Sequence, residues 1–154
     1  MTLHFAYGSN MCRLGMRRRC PGAVALGTAI LDGWRFVIGT GGYGSIERQP
    51  GGVVHGVLWR LGARDLPAIN ADEGVDAGIY QRRVLPVRHG ARLQRALVYI
   101  VRRPGHGKPR PSYLQMIVEA ARAWKLPQRH IRSLLRWAPC RLVGVRTKET
   151  GETG

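Results

Sequence analysis

The hydrophobic period of this chain changes once, late. Up to Val101 the apolar residues alternate with polar ones or run in short blocks; after Pro111 they recur every three or four residues. Period two marks strands and period 3.6 marks helices. Strands first and helices last argue for an α+β fold with a mostly antiparallel sheet or barrel, and against repeated βαβ units.

Element by element, Leu3, Phe5 and Tyr7 alternate and predict a first strand that stops at Gly8. Asn10 is placed to cap a short helix, with Met11 and Leu14 inside and Arg13, Arg17 and Arg18 outside, closed by Pro21-Gly22. Ala23–Leu31 and Trp34–Ile38 read as two strands around an Asp32-Gly33 hairpin turn. Gly39–Gly52 reads as a flexible glycine-rich loop, Val53–Leu61 as a strand, and Arg64–Asn70 as one or two helical turns. Ile79–Val87 and Leu93–Val101 form a hairpin pattern around His89-Gly90, and Pro104–Pro111 is a connecting loop. Ser112-x-x-Gln115 has the form of a capping box. Leu114, Ile117, Val118 and Ala121 then supply one apolar helix face, and Pro127 opens a second helix with Ile131, Leu134 and Leu135 inside. Cys140–Val145 reads as a last strand and Thr147–Gly154 as a polar tail, so one domain is expected over residues 1–146. No internal repeat is visible.

The 154 residues, 44% of them hydrophobic, suffice for one buried core. The longest apolar block, Ala96–Val101, falls far short of the ~20 residues of a membrane helix. The first residues lack a basic segment followed by an apolar run, so no secretory signal is expected. Cys12, Cys20 and Cys140 are odd in number and form no Cys-x-x-Cys, which argues against a disulfide framework or zinc site and for a reducing cytoplasm. His4, His55, His89, His106 and His130 are scattered without ligand spacing, and no metal is expected.

The formal net charge is +16. Such a surplus suits a nucleic-acid or anionic-membrane partner. However, only Lys108, Lys125 and Lys148 are lysines, and the arginines run the length of the chain instead of forming one tail. General arginine bias explains that spread better. Arg129, Arg132 and Arg136 share a face of the last helix, but without interleaved aromatics for base stacking they read as a solvated face. A basic nucleic-acid-binding module stays as the alternative class.

Gly39-x-Gly41-x-x-Gly44 matches the dinucleotide fingerprint in letters, but Pro50 and two glycines follow where a helix would be needed. No Walker A sequence and no Gly-x-Ser-x-Gly elbow occur, which makes Ser9 a poor nucleophile candidate. Two features carry more. Asp72, Glu73 and Asp76 concentrate three of the nine acids within five residues, a setting for a general base beside an amine. Tyr7-Gly8-Ser9-Asn10, a strand end, glycine turn and helix start, exposes successive backbone amides that suit a carboxylate. An anion cradle and a carboxylate together fit a zwitterionic ligand.

Four segments, in order, then resemble the γ-glutamyl cyclotransferase (AIG2-like) family. Phe5-Ala6-Tyr7-Gly8-Ser9-Asn10-Met11 is similar to its N-terminal signature, and Gly56-Val57-Leu58-Trp59 after Gly51-Gly52-Val53-Val54 to its central strand. Asp72-Glu73-Gly74-Val75 followed by Gly78-Ile79-Tyr80 is similar to its catalytic segment, and Pro111-Ser112-Tyr113 with Pro127 to its late helix. The resemblance implies a small mixed, mostly antiparallel β-barrel with flanking helices. It implies cleavage of γ-glutamyl amino acids or amines by attack of the substrate's own α-amine, releasing 5-oxoproline, with no cofactor. It assigns Glu73 as general acid/base, and His4, Phe5, Ala6, Tyr7, Gly8, Ser9, Asn10 and Tyr113 as substrate-binding residues. The leaving group stays unassigned, a family-fold protein of altered activity is a further alternative, and the sequence leaves a homodimer open.

Overall fold

β1 (Thr2–Ala6) is a short strand of the sheet. It pairs antiparallel with the C-terminal end of β3 (Gly44–Leu61), from Thr2↔Leu61 to Ala6↔Val57. At Gly56 a side chain could not be accommodated, since a Cβ would lie 2.3 Å from the Ala6 carbonyl oxygen and 2.8 Å from the Phe5 ring. β2 (Val24–Ile38), β4 (Tyr80–His89) and β5 (Arg92–Val101) complete the sheet. The order β1-β3-β2-β4-β5 closes into a barrel through one parallel contact, His4↔Leu97, between β1 and β5. The computed structural model describes residues 2–74 and 77–139. The sequence expectation of an α+β, mostly antiparallel barrel is met.

Two local expectations fail in this sheet. Asp32-Gly33 makes no hairpin. Residues on both sides pair with the same partner strand, Asp32↔Val53 and Trp34↔Arg48, so β2 passes straight through while β3 bulges opposite Gly33 by four residues, 49–52. Gly33, at φ +85°, supplies the backbone conformation that the bulge needs. The true hairpin turn lies at Thr40–Tyr43, where Gly39 N–H donates to Tyr43 O (2.8 Å) and Gly42 sits at φ +86°. Most of the supposed flexible loop Gly39–Gly52 is therefore the first half of β3.

The helices pack around the barrel. After β1 comes a 3-10 turn at Ser9–Met11 and then α1 (Arg13–Arg19). Asn10 caps neither: the residues flanking the two starts are Gly8 and Cys12, Asn10 itself is buried, and Leu14 points outward while Met16 is buried. α2 (Asp65–Asp72) is anchored at its start by the buried Asp65 carboxylate, which accepts from Gly62 N (2.6 Å) and Gly22 N (3.3 Å).

α3 (Pro111–Ala123) buries Leu114, Ile117, Val118 and Ala121 as the periodicity predicted. Its capping box does not form. Pro111 already occupies the first turn, Arg110 is the N-cap, and Gln115 instead donates to Glu119 Oε1 (3.0 Å). α4 (Gln128–Leu135) buries His130, Ile131 and Leu134 but leaves Leu135 exposed. Arg129, Arg132 and Arg136 stand in solvent. Trp124, just past α3, donates from Nε1 to Met11 O (2.8 Å) and so ties the 3-10 turn to the helical layer. The expected strand Cys140–Val145, the polar tail, and Val75 and Asp76 of the acidic segment lie outside the described residues.

Candidate active site

β1 and the 3-10 turn deliver one wall of a narrow open-mouthed pocket, comprising His4, Phe5, Ala6, Tyr7, Gly8, Ser9 and Asn10. The C-terminal end of α2 delivers Glu73, and Gly44, Tyr80, Tyr99 and Tyr113 complete the lining. All nine residues singled out from the sequence thus meet in one cavity, although they arise from three separate parts of the chain.

At one end, Glu73 Oε1 accepts a hydrogen bond from Asn10 Nδ2 (3.2 Å). Burial raises the Glu73 pKa and the Asp72 carboxylate beside it adds to the rise; Arg19 and the Asn10 bond oppose them, leaving it at about 7. A carboxyl with that pKa both takes and returns a proton near neutrality. His4, also buried, contacts Leu97 O through Nδ1 (3.1 Å) and Asn10 through Nε2 (3.2 Å). Its desolvation lowers the pKa to about 4, so the ring is neutral at working pH.

At the other end, Tyr113 Oη accepts the Gly44 N–H (2.8 Å), while Tyr80 donates its hydroxyl proton to Gly44 O (3.0 Å). Tyr80 has thus used its proton, whereas Tyr113 keeps its own for the cavity. Burial pushes the Tyr113 pKa up to about 12, so the hydroxyl stays a donor. Tyr7 donates to Tyr99 O, and Tyr99 donates to Asn70 Oδ1 (2.6 Å). In the bend, the Met11 and Cys12 amides turn back to Gly8 O and Ser9 O. The preceding amides of Gly8, Ser9 and Asn10 open that turn, where no intrahelical acceptor exists for them.

The arrangement offers a titratable carboxyl, backbone and hydroxyl donors, and an apolar floor of Phe5 and Ala6. Among the described residues no group of three His, Cys, Asp or Glu side chains is placed to hold a metal ion.

Sequence reasoning passed over four contributors. Tyr80 stood in the segment similar to the family's catalytic one but was given no role of its own. Tyr99 was hidden inside an apolar strand block, Gly44 inside a glycine run, and Arg19 inside the basic run Arg17-Arg18-Arg19. Arg19 Nη2 donates to Asn10 Oδ1 at 2.7 Å.

Comparison with known proteins matches this geometry to a family. The profile of the AIG2-like family matches residues 53–134, more than half of the chain. A mouse gamma-glutamylcyclotransferase is 28% identical, covering 83% of this chain and 74% of its own. The human gamma-glutamylcyclotransferase is also 28% identical, with 81% and 72% covered. A solved gamma-glutamyl cyclotransferase structure superposes with a TM-score of 0.83 at 25% identity, over 90% of this chain and 88% of that one. In sequence and in fold, the chain belongs to the AIG2-like family.

Proposed function

We propose that the chain is a γ-glutamyl cyclotransferase, with Glu73 as the proton-transfer group and the Tyr7–Asn10 bend and Tyr113 as the substrate cradle. The observation that supports this most is the buried Glu73 carboxyl, with a pKa of about 7, which Asn10 of the bend hydrogen-bonds in the pocket that Tyr7, Gly8, Ser9 and Tyr113 also line.

In this reading the substrate's α-carboxylate meets the donors of the bend. The α-ammonium lies beside Glu73, which removes one proton. The freed amine attacks the γ-carbonyl carbon, and the C–N bond to the leaving amine breaks as the five-membered lactam closes. Two protons leave the attacking nitrogen and two reach the departing one. A single carboxyl that takes and returns a proton serves both ends, and no water is consumed.

Magnitudes favour so small a machine. Nucleophile and electrophile share one molecule, and well-oriented intramolecular attack has effective molarities of roughly 10⁵–10⁸ M. A positioned general base adds roughly 10²–10⁴-fold. Folding the substrate and holding one proton acceptor in place supply the catalysis between them. The substrate is a small molecule, and we place the enzyme in the cytoplasm on the strength of its free thiols, Cys12 and Cys20.

The test is 5-oxoproline release from a panel of γ-glutamyl amino acids and amines. Glu73→Gln is expected to lower kcat by roughly 10²–10⁴-fold while the variant still folds. Wild-type turnover by that variant would remove Glu73 from the reaction.

A further inference from the structure

We infer that Arg19 is a positioning residue that orients Glu73 through the Asn10 carboxamide. The inference rests on the cyclotransferase reading and deepens it.

A carboxamide has an acceptor end and a donor end, and the end that meets Glu73 decides between attraction and repulsion. Flipped, Asn10 would set Oδ1 against a carboxylate oxygen. Its neighbours select the other orientation. Arg19 Nη2 lies 2.7 Å from Oδ1, and a guanidinium has only donors, so that oxygen is held as an acceptor. On the far side, His4 Nδ1 faces the Leu97 carbonyl (3.1 Å) and so carries the ring proton. His4 Nε2 is then bare and accepts from Asn10 Nδ2 (3.2 Å). The two hydrogens of Nδ2 thus have two acceptors, His4 Nε2 and Glu73 Oε1.

Arg19 itself stands between the two elements, its Nε buried and making no hydrogen bond among the described residues. Its Nη2 reaches Ser9 O (3.4 Å), and its Nε stands 3.6 Å from Asp72 Oδ2, one residue before Glu73. One guanidinium therefore spans the bend that bears Asn10 and the helix end that bears Glu73. Gly15, one turn back on α1, leaves the space: a Cβ there would lie 3.3 Å from Arg19 Nη2.

The groups facing Glu73 come from several elements. Asp72 on α2 raises its pKa, while Arg19 on α1 and Asn10 in the bend lower it. Tyr7, Tyr80, Tyr99 and Tyr113, from the barrel and α3, are neutral neighbours held in the protonated form by burial. Loss of Arg19 removes a cation and lets Asn10 turn, and both changes move the Glu73 pKa upward.

The experiment measures kcat and KM against pH, with a γ-glutamyl amino acid as substrate. It compares Arg19→Gln, Arg19→Lys and Gly15→Ala with Glu73→Gln and Asn10→Ala. Arg19→Gln is expected to lower kcat on the order of 10- to 100-fold, as small misplacements of a catalytic group do. KM should stay within about threefold, because uniform binding is untouched. The acid limb of kcat/KM should move to higher pH. Arg19→Lys, still a donor-only cation, should recover most of kcat. In an Asn10→Ala background, Arg19→Gln should cost less kcat than it does in the wild-type chain, since only the direct charge effect of Arg19 on Glu73 is left to lose.

Gly15→Ala presses on the guanidinium without touching the pocket, and should shift the limb the same way even if Arg19→Gln fails to fold. The inference is overturned if neither Arg19→Gln nor Gly15→Ala moves the acid limb while Glu73→Gln is inactive. Full additivity with Asn10→Ala would also overturn it. Wild-type turnover by Glu73→Gln is a different failure, that of the cyclotransferase reading.

Discussion

At Glu73, burial and the Asp72 carboxylate push the pKa up while Arg19 and Asn10 pull it down, and the balance falls at about 7. The base form is the one that removes a proton, so kcat/KM should rise with pH through an acid limb near 7; a limb near the ordinary carboxylate value of ~4.3 would contradict the burial argument. Tyr113 has a narrower role. Its oxygen is used by Gly44 N–H and its proton is free, so Tyr113→Phe should lower kcat/KM by roughly 10- to 100-fold, the weight of a hydrogen bond to a charged group. Unchanged kcat/KM would place that hydroxyl beyond the substrate. The carboxyl and the bend were legible as residue types in the sequence: three acids close together in a basic chain, and a glycine turn after a strand. Arg19 was not legible, because one arginine in a run of three carries no mark of the carboxamide it meets.

The element scale fixes how precisely those residues meet. β1 holds the bend against β3 because Gly56 lets the Ala6 carbonyl approach. Gly56→Ala would force a methyl to within 2.3 Å of that oxygen and push β1 outward. The expected result is a stability loss of about 1–3 kcal/mol in denaturant unfolding, with activity falling further than the unfolded fraction explains. Normal stability would mean that β1 shifts freely. Strand positions and the α3 face were readable from periodicity, since alternation and the 3.6 period follow from side-chain geometry alone. The Asp32-Gly33 hairpin and the Ser112 capping box were misread because each is a local motif that tertiary structure overrides. Partner-strand pairing continues past Gly33, and Pro111 starts its helix two residues earlier than the cap would.

For the molecule as a whole, pH acts through buried groups of opposite sign. His4 and His130 both have pKa values lowered to about 4 by burial, so the unfolded chain binds protons more readily between pH ~6.5 and ~4. Their contribution is complete above that window and is lost as pH falls through it. Glu73, raised to about 7, acts the other way and favours the folded state toward lower pH across its own window. The two histidines outnumber it, so acid should destabilise the protein below pH ~6.5. His130→Phe, which keeps a ring against His55, should flatten that slope, as seen in melting temperature against pH. An unchanged slope would mean that His130 titrates normally. Among the described residues no arginine or lysine lines the pocket, and Arg19 acts on it from behind Asn10.

The central claim is that the bound molecule closes on itself, and product analysis in ¹⁸O-labelled water tests this most directly. The account predicts unlabelled 5-oxoproline and free amine in equal amounts from the wild-type protein, with both lost in Glu73→Gln. Glutamate bearing ¹⁸O would show that water, not the substrate's amine, attacks the amide.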